Sequence, residues 1–230
     1  IQGMLGKIKQ LIRQVYAKEI ERQDLELNLL QAKISPHFLY NNLSAINWLA
    51  IDCGEEKISE ITTEMATFYR TALNKGNNID RLSVEITNIK SYINLQLIAH
   101  ENEFDVEYDI DEGLLECVVP IFILQPLVEN AIEHGINYQE EIDGKGRLIV
   151  RLEEEDSHLI FSILNNGPRV ELERLEEILN TPGKGYGIYN IEERIRIYYG
   201  AGCGVYASVT EDGYTNFTVK ILKELKELSV

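Results

Sequence analysis

The spacing of apolar residues changes along the chain and divides it into two parts. Up to about residue 52, apolar or small side chains recur every three or four residues, which is the spacing of one helix face. Consecutive steps of four between Ile12 and Ile20 interrupt this spacing and form a stutter. One helix cannot bury such a seam against itself, so the pattern predicts a parallel dimer. The seam positions are Leu5, Ile8, Ile12, Tyr16, Ile20, Leu27, Leu30 and Ile34, with polar Gln23 at one step.

A second helix follows the first after a short interruption. Gly54 and a glutamate-rich stretch end the long helix near residue 52. Two helices per chain, doubled in a dimer, predict a four-helix bundle. Lys75-Gly76-Asn77-Asn78 is a turn-rich linker, so the domain boundary is placed near residues 76–80, giving domains 1–76 and 80–230. The second helix carries Ile58, Ile61, Met65, Phe68, Tyr69 and Leu73 on one side.

Beyond the linker, strand and helix patterns are mixed. Alternation of apolar and polar residues predicts strands at 104–110, 148–152, 159–163, 205–209 and 217–221. Helical spacing predicts helices at 83–98, 120–136, 171–179 and 188–199. Several strands with helices on one face predict an α+β fold, here a two-layer sandwich.

Charge and composition narrow the possible partners. The net charge of −16 repels phosphate backbones and argues against nucleic-acid binding, so any nucleotide site needs local cations, a metal or backbone amides. The cysteines Cys53, Cys117 and Cys203 are far apart, which predicts buried free thiols rather than a zinc site or disulfides. No apolar run is long enough to span a membrane, and the start at Ile1 leads us to expect a fragment of a longer protein.

Pro36 and His37 stand side by side inside the predicted long helix. A proline in a helix interior removes a backbone donor and clashes with the carbonyl of Ala32, which costs about 3 kcal/mol and bends the helix. Such a bend can display the next residue, and an imidazole can act as a nucleophile near neutral pH. The stretch Leu30–Asn42 resembles the phosphoacceptor motif of the LytS/YesM-type sensor histidine kinases of bacterial two-component systems.

This resemblance implies that His37 accepts the phosphoryl group. Asn41 lies one helical turn further on the same face, where its amide can hold a water for hydrolysis of phosphohistidine. Many histidine kinases carry an acid directly after the histidine as a base. Phe38 occupies that position here, so the base must come from elsewhere.

The stretch Gln125–Gly135 resembles the N box of the ATP-binding fold that histidine kinases share with DNA gyrase and a heat-shock chaperone. The resemblance implies that Asn130 coordinates Mg²⁺ and that His134 contacts phosphate. Other members place a glutamate four residues before the asparagine, whereas this chain has Pro126 there. Glu129, directly before Asn130, is therefore the candidate base or ligand of a metal-bound water.

Two glycine-containing stretches resemble the G1 and G2 boxes of the same fold. In Leu164–Arg169, Asn165 replaces the aspartate that accepts a hydrogen bond from adenine, and Arg169 replaces the glycine two positions after Gly167. A neutral acceptor makes a bond about half as strong as a charged one, so nucleotide affinity is expected to fall. In Thr181–Ile195, a glycine loop opens a helix and presents backbone amides to phosphates. The implied contacts there are Gly183, Lys184, Gly185 and Gly187.

The boxes occur in family order, and the resemblance covers residues 25 to 221. It implies the GHKL (Bergerat) fold for residues 80–230 and a signalling helix with a dimerisation and phosphotransfer bundle for residues 1–76. It also implies autophosphorylation of His37 from Mg-ATP, transfer to an aspartate of a response regulator, and a membrane-spanning sensor in the parent protein, of which this chain would be a cytoplasmic part. Phosphotransfer would require the ATP domain to swing on residues 76–80.

Two other functions remain open on the sequence. One is a degenerate pseudokinase, a dimeric scaffold or phosphatase that binds nucleotide weakly because of Asn165 and Arg169. The other is a stand-alone ATPase of the same fold, which the histidine-bearing helices argue against because an ATPase does not need them.

Overall fold

The computed structural model describes residues 36–73, 78–101, 103–136, 145–168, 171 and 186–225. It begins with a hairpin of two helices, α1 (Pro36–Cys53) and α2 (Glu56–Ala72). Gly54 ends α1 with a φ of +73°, and the bonds Gly54 N to Ile51 O and Glu55 N to Ala50 O form a Schellman motif. The predicted break at Gly54 and both helices are confirmed where the structure describes them. The predicted seam at residues 5–34 and any bend before Pro36 lie outside the described residues.

A third helix, α3 (Leu82–Ala99), follows a short strand, β1 (Ile79–Arg81). Strand β1 pairs antiparallel with β3 (Val118–Pro120), and Leu82, Ile86, Ile89 and Ile93 of α3 are buried. Their helical spacing is the pattern that predicted this element. The helix therefore belongs to the core of the second part of the chain.

The main sheet is formed by five strands, which are β2 (Phe104–Ile110), β4 (Gly146–Glu155), β5 (His158–Asn165), β6 (Gly204–Val209) and β7 (Thr215–Leu222). Their order in the sheet is β2-β4-β5-β7-β6. Strand β2 pairs parallel with β4, and the remaining neighbours pair antiparallel, so the sheet is mixed. All five predicted strands are confirmed.

The helices lie on one face of this sheet and share one core with it. The fourth helix, α4 (Gln125–Asn130), continues into a π-helical turn at Ala131–Ile136, and α5 spans Tyr186–Tyr199. The predicted α+β sandwich is thereby confirmed, whereas the dimeric bundle stays a prediction. The sheet contributes Leu148, Val150, Leu152, Phe161, Ile163, Phe217, Val219 and Ile221, and the helices contribute Ile89, Ile93, Leu127, Val128, Ile132, Ile191 and Ile195.

The hairpin and the sandwich contact each other through α2 and α3. Asn88 Nδ2 donates to Thr71 Oγ1 at 2.8 Å, and Asn94 Nδ2 donates to Glu64 Oε1 at 2.9 Å. The ring centroids of Phe68 and Tyr92, which lie between these two bonds along the helices, are 6.0 Å apart. No local sequence pattern predicted this interface between the two helices.

The predicted helix at 120–136 is wrong at its start. Pro120 is the last residue of β3 and lies opposite Ile79, and Phe122 has a φ of +60°, a left-handed conformation that a helix excludes. The helix therefore begins at Gln125. The domain boundary at 76–80 stays a prediction, and the predicted helix at 171–179 lies almost wholly outside the described residues.

The prediction of buried thiols is also partly wrong. All three cysteines are free, but Cys53 is exposed, Cys117 is half-buried and only Cys203 is buried. Cys53 is the last residue of α1 and follows the polar Asp52, so it does not reach a core. Within the described residues, no helix has the length and apolar character needed to cross a membrane.

Candidate functional site

His37 lies in the first turn of α1 and is exposed, as predicted for a displayed side chain. Asn41, one turn further, places its amide nitrogen 3.4 Å from both ring nitrogens. Both distances are long for a hydrogen bond, so this contact does not determine which ring nitrogen carries the proton. The pair forms an open polar surface at one end of the hairpin.

Contacts between α1 and α2 hold the histidine on the outside of the hairpin. Leu43 and Ala50 are the buried residues of α1. Tyr40 donates its hydroxyl to Tyr69 O at 3.1 Å, and Asn47 Oδ1 accepts from Ser59 Oγ at 2.7 Å. These bonds fix the register of the two helices, because each polar group has its partner at only one register.

The N-box residues form a polar face on α4 and the following π-helical turn. Leu127, Val128, Ala131 and Ile132 are buried, so the residues between them face outward. Glu129 and Asn130 are half-buried, and His134 is exposed. Gln125 donates through Nε2 to Glu129 Oε1 at 2.7 Å.

Tyr92 of α3 lies beside this face. Burial raises the pKa of its hydroxyl, and the charges of Glu129 and Glu133 raise it further. Glu129 and Glu133 thus place two carboxyl groups at this surface, which as carboxylates would favour a cation there. An amide oxygen and carboxylates are also the ligands that Mg²⁺ prefers.

The G1 and N boxes are in direct contact through two glycines. A Cβ added to Gly167 would lie 2.5 Å from the Cα of Gly135, and one added to Gly135 would lie 2.3 Å from Asn165 Oδ1. Only glycine at both positions allows the end of β5 to approach the π-helical turn so closely. Asn166 fixes the end of β5, because its side chain bonds to Arg147 N at 2.6 Å and to Lys145 O at 3.0 Å.

Asn165 is buried beneath this contact, with 3% of its surface exposed. Its Oδ1 accepts from Gly167 N at 3.1 Å. Its partner across the sheet is Thr215, which is equally buried and whose hydroxyl has no hydrogen-bond partner among the described residues. A buried hydroxyl without a partner carries an energetic cost that a bound polar molecule would relieve.

Thr215 was not among the predicted site residues, although the sequence of β7 carries a signal for it. The alternation Phe217, Val219, Ile221 defines the core-facing positions of β7, and its extension by one step places a polar threonine at a core position. A polar residue in a core register indicates a bonding requirement or a site.

The G2 box also meets the N box. A Cβ on Gly187, in the first turn of α5, would lie 2.9 Å from Pro126 Cβ, in the first turn of α4. The two helices therefore begin side by side. Gly183, Lys184, Gly185 and Arg169 lie outside the described residues, so their predicted contacts stay predictions. The structure thus brings three of the four predicted boxes together, with His37 on a separate element.

Two family profiles match the chain. The family described as "Histidine kinase" matches residues 25–104, and the family described as "Histidine kinase-, DNA gyrase B-, and HSP90-like ATPase" matches residues 120–225. The sensor histidine kinase YesM of Bacillus subtilis is 30% identical over 202 residues, covering 88% of this chain and 34% of that protein. The sensor histidine kinase BtsS of Escherichia coli is 28% identical over 221 residues, covering 94% and 37%. The sensor protein LytS of Staphylococcus saprophyticus is 30% identical over 184 residues, covering 77% and 30%. The chain spans about a third of the length of these curated relatives.

Proposed function

The chain belongs to the sensor histidine kinases of two-component systems, and we propose that it phosphorylates its own His37 from Mg-ATP and passes the phosphoryl group to an aspartate of a response regulator. The observation that carries the proposal is the convergence of the N, G1 and G2 boxes through Gly135, Gly167 and Gly187, together with an exposed histidine on a separate hairpin. The first arrangement fits a nucleotide and the second fits a phosphoacceptor.

The nucleotide site would be built from both sides of the glycine contact. Asn165 and Thr215 would meet the adenine, since they are the buried polar pair formed by the last residue of β5 and the first residue of β7. His134 and the loop of Gly183, Lys184 and Gly185 would meet the phosphates, because amides and cations stabilise phosphate charge.

Asn130 would hold Mg²⁺ through its amide oxygen, with Glu129 binding a water of that ion or acting as the base. Among the described residues, no three acidic, histidine or cysteine side chains form a metal cluster. Phosphate oxygens would therefore complete the coordination, as is usual for Mg²⁺. When bound, the ion would supply neutralisation of the charge on the transferring phosphoryl group.

At the acceptor, His37 Nε2 would attack the γ-phosphorus in line with the leaving oxygen. The bond from Nε2 to phosphorus forms as the bond from phosphorus to the β–γ bridging oxygen breaks, and ADP leaves. The exposure of His37 supports this role, because the ring can be approached from solvent. Asn41 would hold a water for the later loss of the phosphoryl group.

A homodimer is the second part of the proposal. Ala45 and Leu49 of α1 lie on one side of the helix, Ile46 is adjacent, and Leu49 and Ile46 are 65% and 45% exposed. Contiguous apolar surface on a hairpin is typical of an interface. Two hairpins that pack on this side would form the predicted four-helix bundle.

A second exposed stripe follows His37 itself. Ser44, Trp48 and Ile51 succeed His37 at seven, eleven and fourteen residues, so they lie on the same side of α1. Trp48 is 72% exposed, and an exposed tryptophan is a common anchor in protein interfaces. This stripe supports docking of the response regulator beside the phosphoacceptor.

Incubation with γ-labelled ATP tests the function. Label should be acid-labile and base-stable, as in a phosphoramidate. His37→Gln should abolish it without unfolding the protein, and the control His158→Gln, at the start of β5, should keep it. Label that persists in His37→Gln would assign the phosphoacceptor to another residue.

One observation favours the pseudokinase alternative. The single side-chain oxygen of Asn165 is already bonded to the amide of Gly167, so adenine would have to share it. A carboxylate would offer a second oxygen. If calorimetry detects no Mg-ATP binding by the parent protein, this alternative becomes the better account.

A further inference from the structure

The loop that leads into the N box is organised by a carboxylate from another element. Glu85 lies in the first turn of α3 and is 2% exposed. It is the only carboxylate among the buried polar residues of the described part of the chain. Burial of a carboxylate is costly unless its oxygens are bonded, so its partners indicate why it is there.

Those partners are backbone amides of the loop between β3 and α4. Glu85 Oε2 accepts from Phe122 N and Oε1 accepts from Leu124 N, both at 2.8 Å. Burial raises the pKa of the Glu85 carboxyl, and the backbone amides around it oppose that shift. One side chain therefore binds two backbone amides that lie 37 and 39 residues away in sequence.

The conformation of this loop needs such support. Phe122 has a φ of +60°, which a side chain with a Cβ rarely adopts without compensating contacts. Leu124, at the N-cap of α4, makes no side-chain capping bond. The carboxylate of Glu85 binds the amide of Leu124 instead, so it fixes the place where α4 begins.

A second clamp comes from the helix opened by the G2 box. Arg194 of α5 donates through Nη1 to Ile121 O at 3.0 Å, at the other end of the same loop. The first turn of α5 also contacts Pro126 through Gly187. Residues 121–124 are thus held by α3 on one side and by α5 on the other.

We infer that Glu85 is a positioning residue for the nucleotide site: by holding residues 122–124 it sets the position of α4, and through α4 that of Glu129 and Asn130. The chain between the clamp and Asn130 is a single short helix, so a displaced start moves the polar face with it. This inference rests on the proposed function, because it assigns Asn130 and Glu129 to the nucleotide site.

The test compares two buried polar residues of α3 that face different neighbours. Glu85→Gln keeps the volume but places an amide donor against backbone N–H groups. Asn88→Ala, one turn further, loses buried bonds to α2 and none to the N box. Mg-ADP binding is measured by calorimetry, and backbone hydrogen exchange is measured across residues 121–136.

Glu85→Gln should raise the Kd for Mg-ADP about tenfold and speed backbone exchange in 121–136, because glutamine offers one acceptor oxygen where the carboxylate offers two, so one backbone amide loses its acceptor. Asn88→Ala should lower the melting temperature but leave both the Kd for Mg-ADP and the exchange in 121–136 unchanged. Arg194→Met, which removes the second clamp, should weaken Mg-ADP binding too, and it decides the question if Glu85→Gln does not fold.

Unchanged Mg-ADP affinity in a folded Glu85→Gln protein, or an equal loss in Asn88→Ala, would overturn the inference. Failure of the parent protein to bind Mg-ADP would instead refute the proposed function. In that case hydrogen exchange still tests whether Glu85 positions α4. Faster exchange in 121–136 in Glu85→Gln alone supports this role, and identical exchange in both variants overturns it.

Discussion

The contact between Gly167 and Gly135 makes a substitution with a calculable effect. In Gly167→Ala the new methyl would lie 2.5 Å from the Cα of Gly135 and 2.6 Å from its carbonyl carbon and oxygen. Carbon atoms pack best at about 3.5–4.0 Å, so the overlap is on the order of 1 Å. The neighbour is backbone and cannot rotate away. The end of β5 and the π-helical turn must therefore separate by about that distance.

Overpacking of this kind costs about 1–3 kcal/mol of folding stability. The same displacement moves the G1 box away from the N box. We therefore expect the Kd for Mg-ATP to rise about tenfold, which corresponds to about 1.4 kcal/mol of binding free energy. Urea unfolding gives the first quantity and calorimetric titration the second. Gly54→Ala is the control, since its Cβ meets nothing within 4 Å and its positive φ costs about 1 kcal/mol far from the site. If Gly167→Ala is as stable as the parent and binds Mg-ATP equally, the proposed contact between the boxes is wrong.

Two further predictions concern the adenine contact and the dimer. Asn165→Asp should strengthen Mg-ATP binding by roughly 1 kcal/mol, about five-fold in Kd, because a carboxylate supplies a second, charged acceptor. Asn130→Ala should instead lose most of the Mg-ATP affinity, because it removes the predicted metal ligand. Calorimetry on both decides, and parent-like binding by Asn130→Ala would exclude the assigned N box. The chain should sediment as a dimer at micromolar concentration. Leu49→Asp should shift it toward the monomer, whereas the control Lys90→Asp on α3 should not. A monomeric parent protein would contradict the predicted bundle.

Periodicity was sufficient for most of the elements because their apolar residues meet one continuous core. The strands at 148–152 and 217–221 alternate since only one face of the sheet is covered by helices, and that covered face carries Leu148 and Phe217. The four boxes were recognisable because their spacing along the chain is local. The strand before the G1 box and the helix after the G2 box are confirmed where the structure describes them, whereas the helix that carries the N box begins at Gln125 rather than Pro120.

The contacts between distant segments were beyond sequence reasoning. Apolar spacing extended a helix back to Pro120, but the left-handed Phe122 is held by a carboxylate from α3 that no local pattern links to it. The approach of Gly135 to Gly167 is likewise a long-range property. Sequence motifs supplied the candidate site residues, which stay predictions, whereas the bonds that align their elements come from residues outside the motifs.

The position of α3 constrains how nucleotide could reach His37. The helix contributes Ile86 and Ile93 to the core of the sandwich and, through Asn88 and Asn94, hydrogen bonds to α2 of the hairpin. Swinging on residues 76–80 would therefore separate α3 from α2, because the apolar core on the other side is the stronger attachment. Each hydrogen bond lost between α3 and α2 would cost about 1 kcal/mol. Changes in hairpin packing can therefore raise or lower the free energy needed for the swing. If the predicted swing occurs, we therefore expect the α2–α3 interface, as well as the linker, to control it.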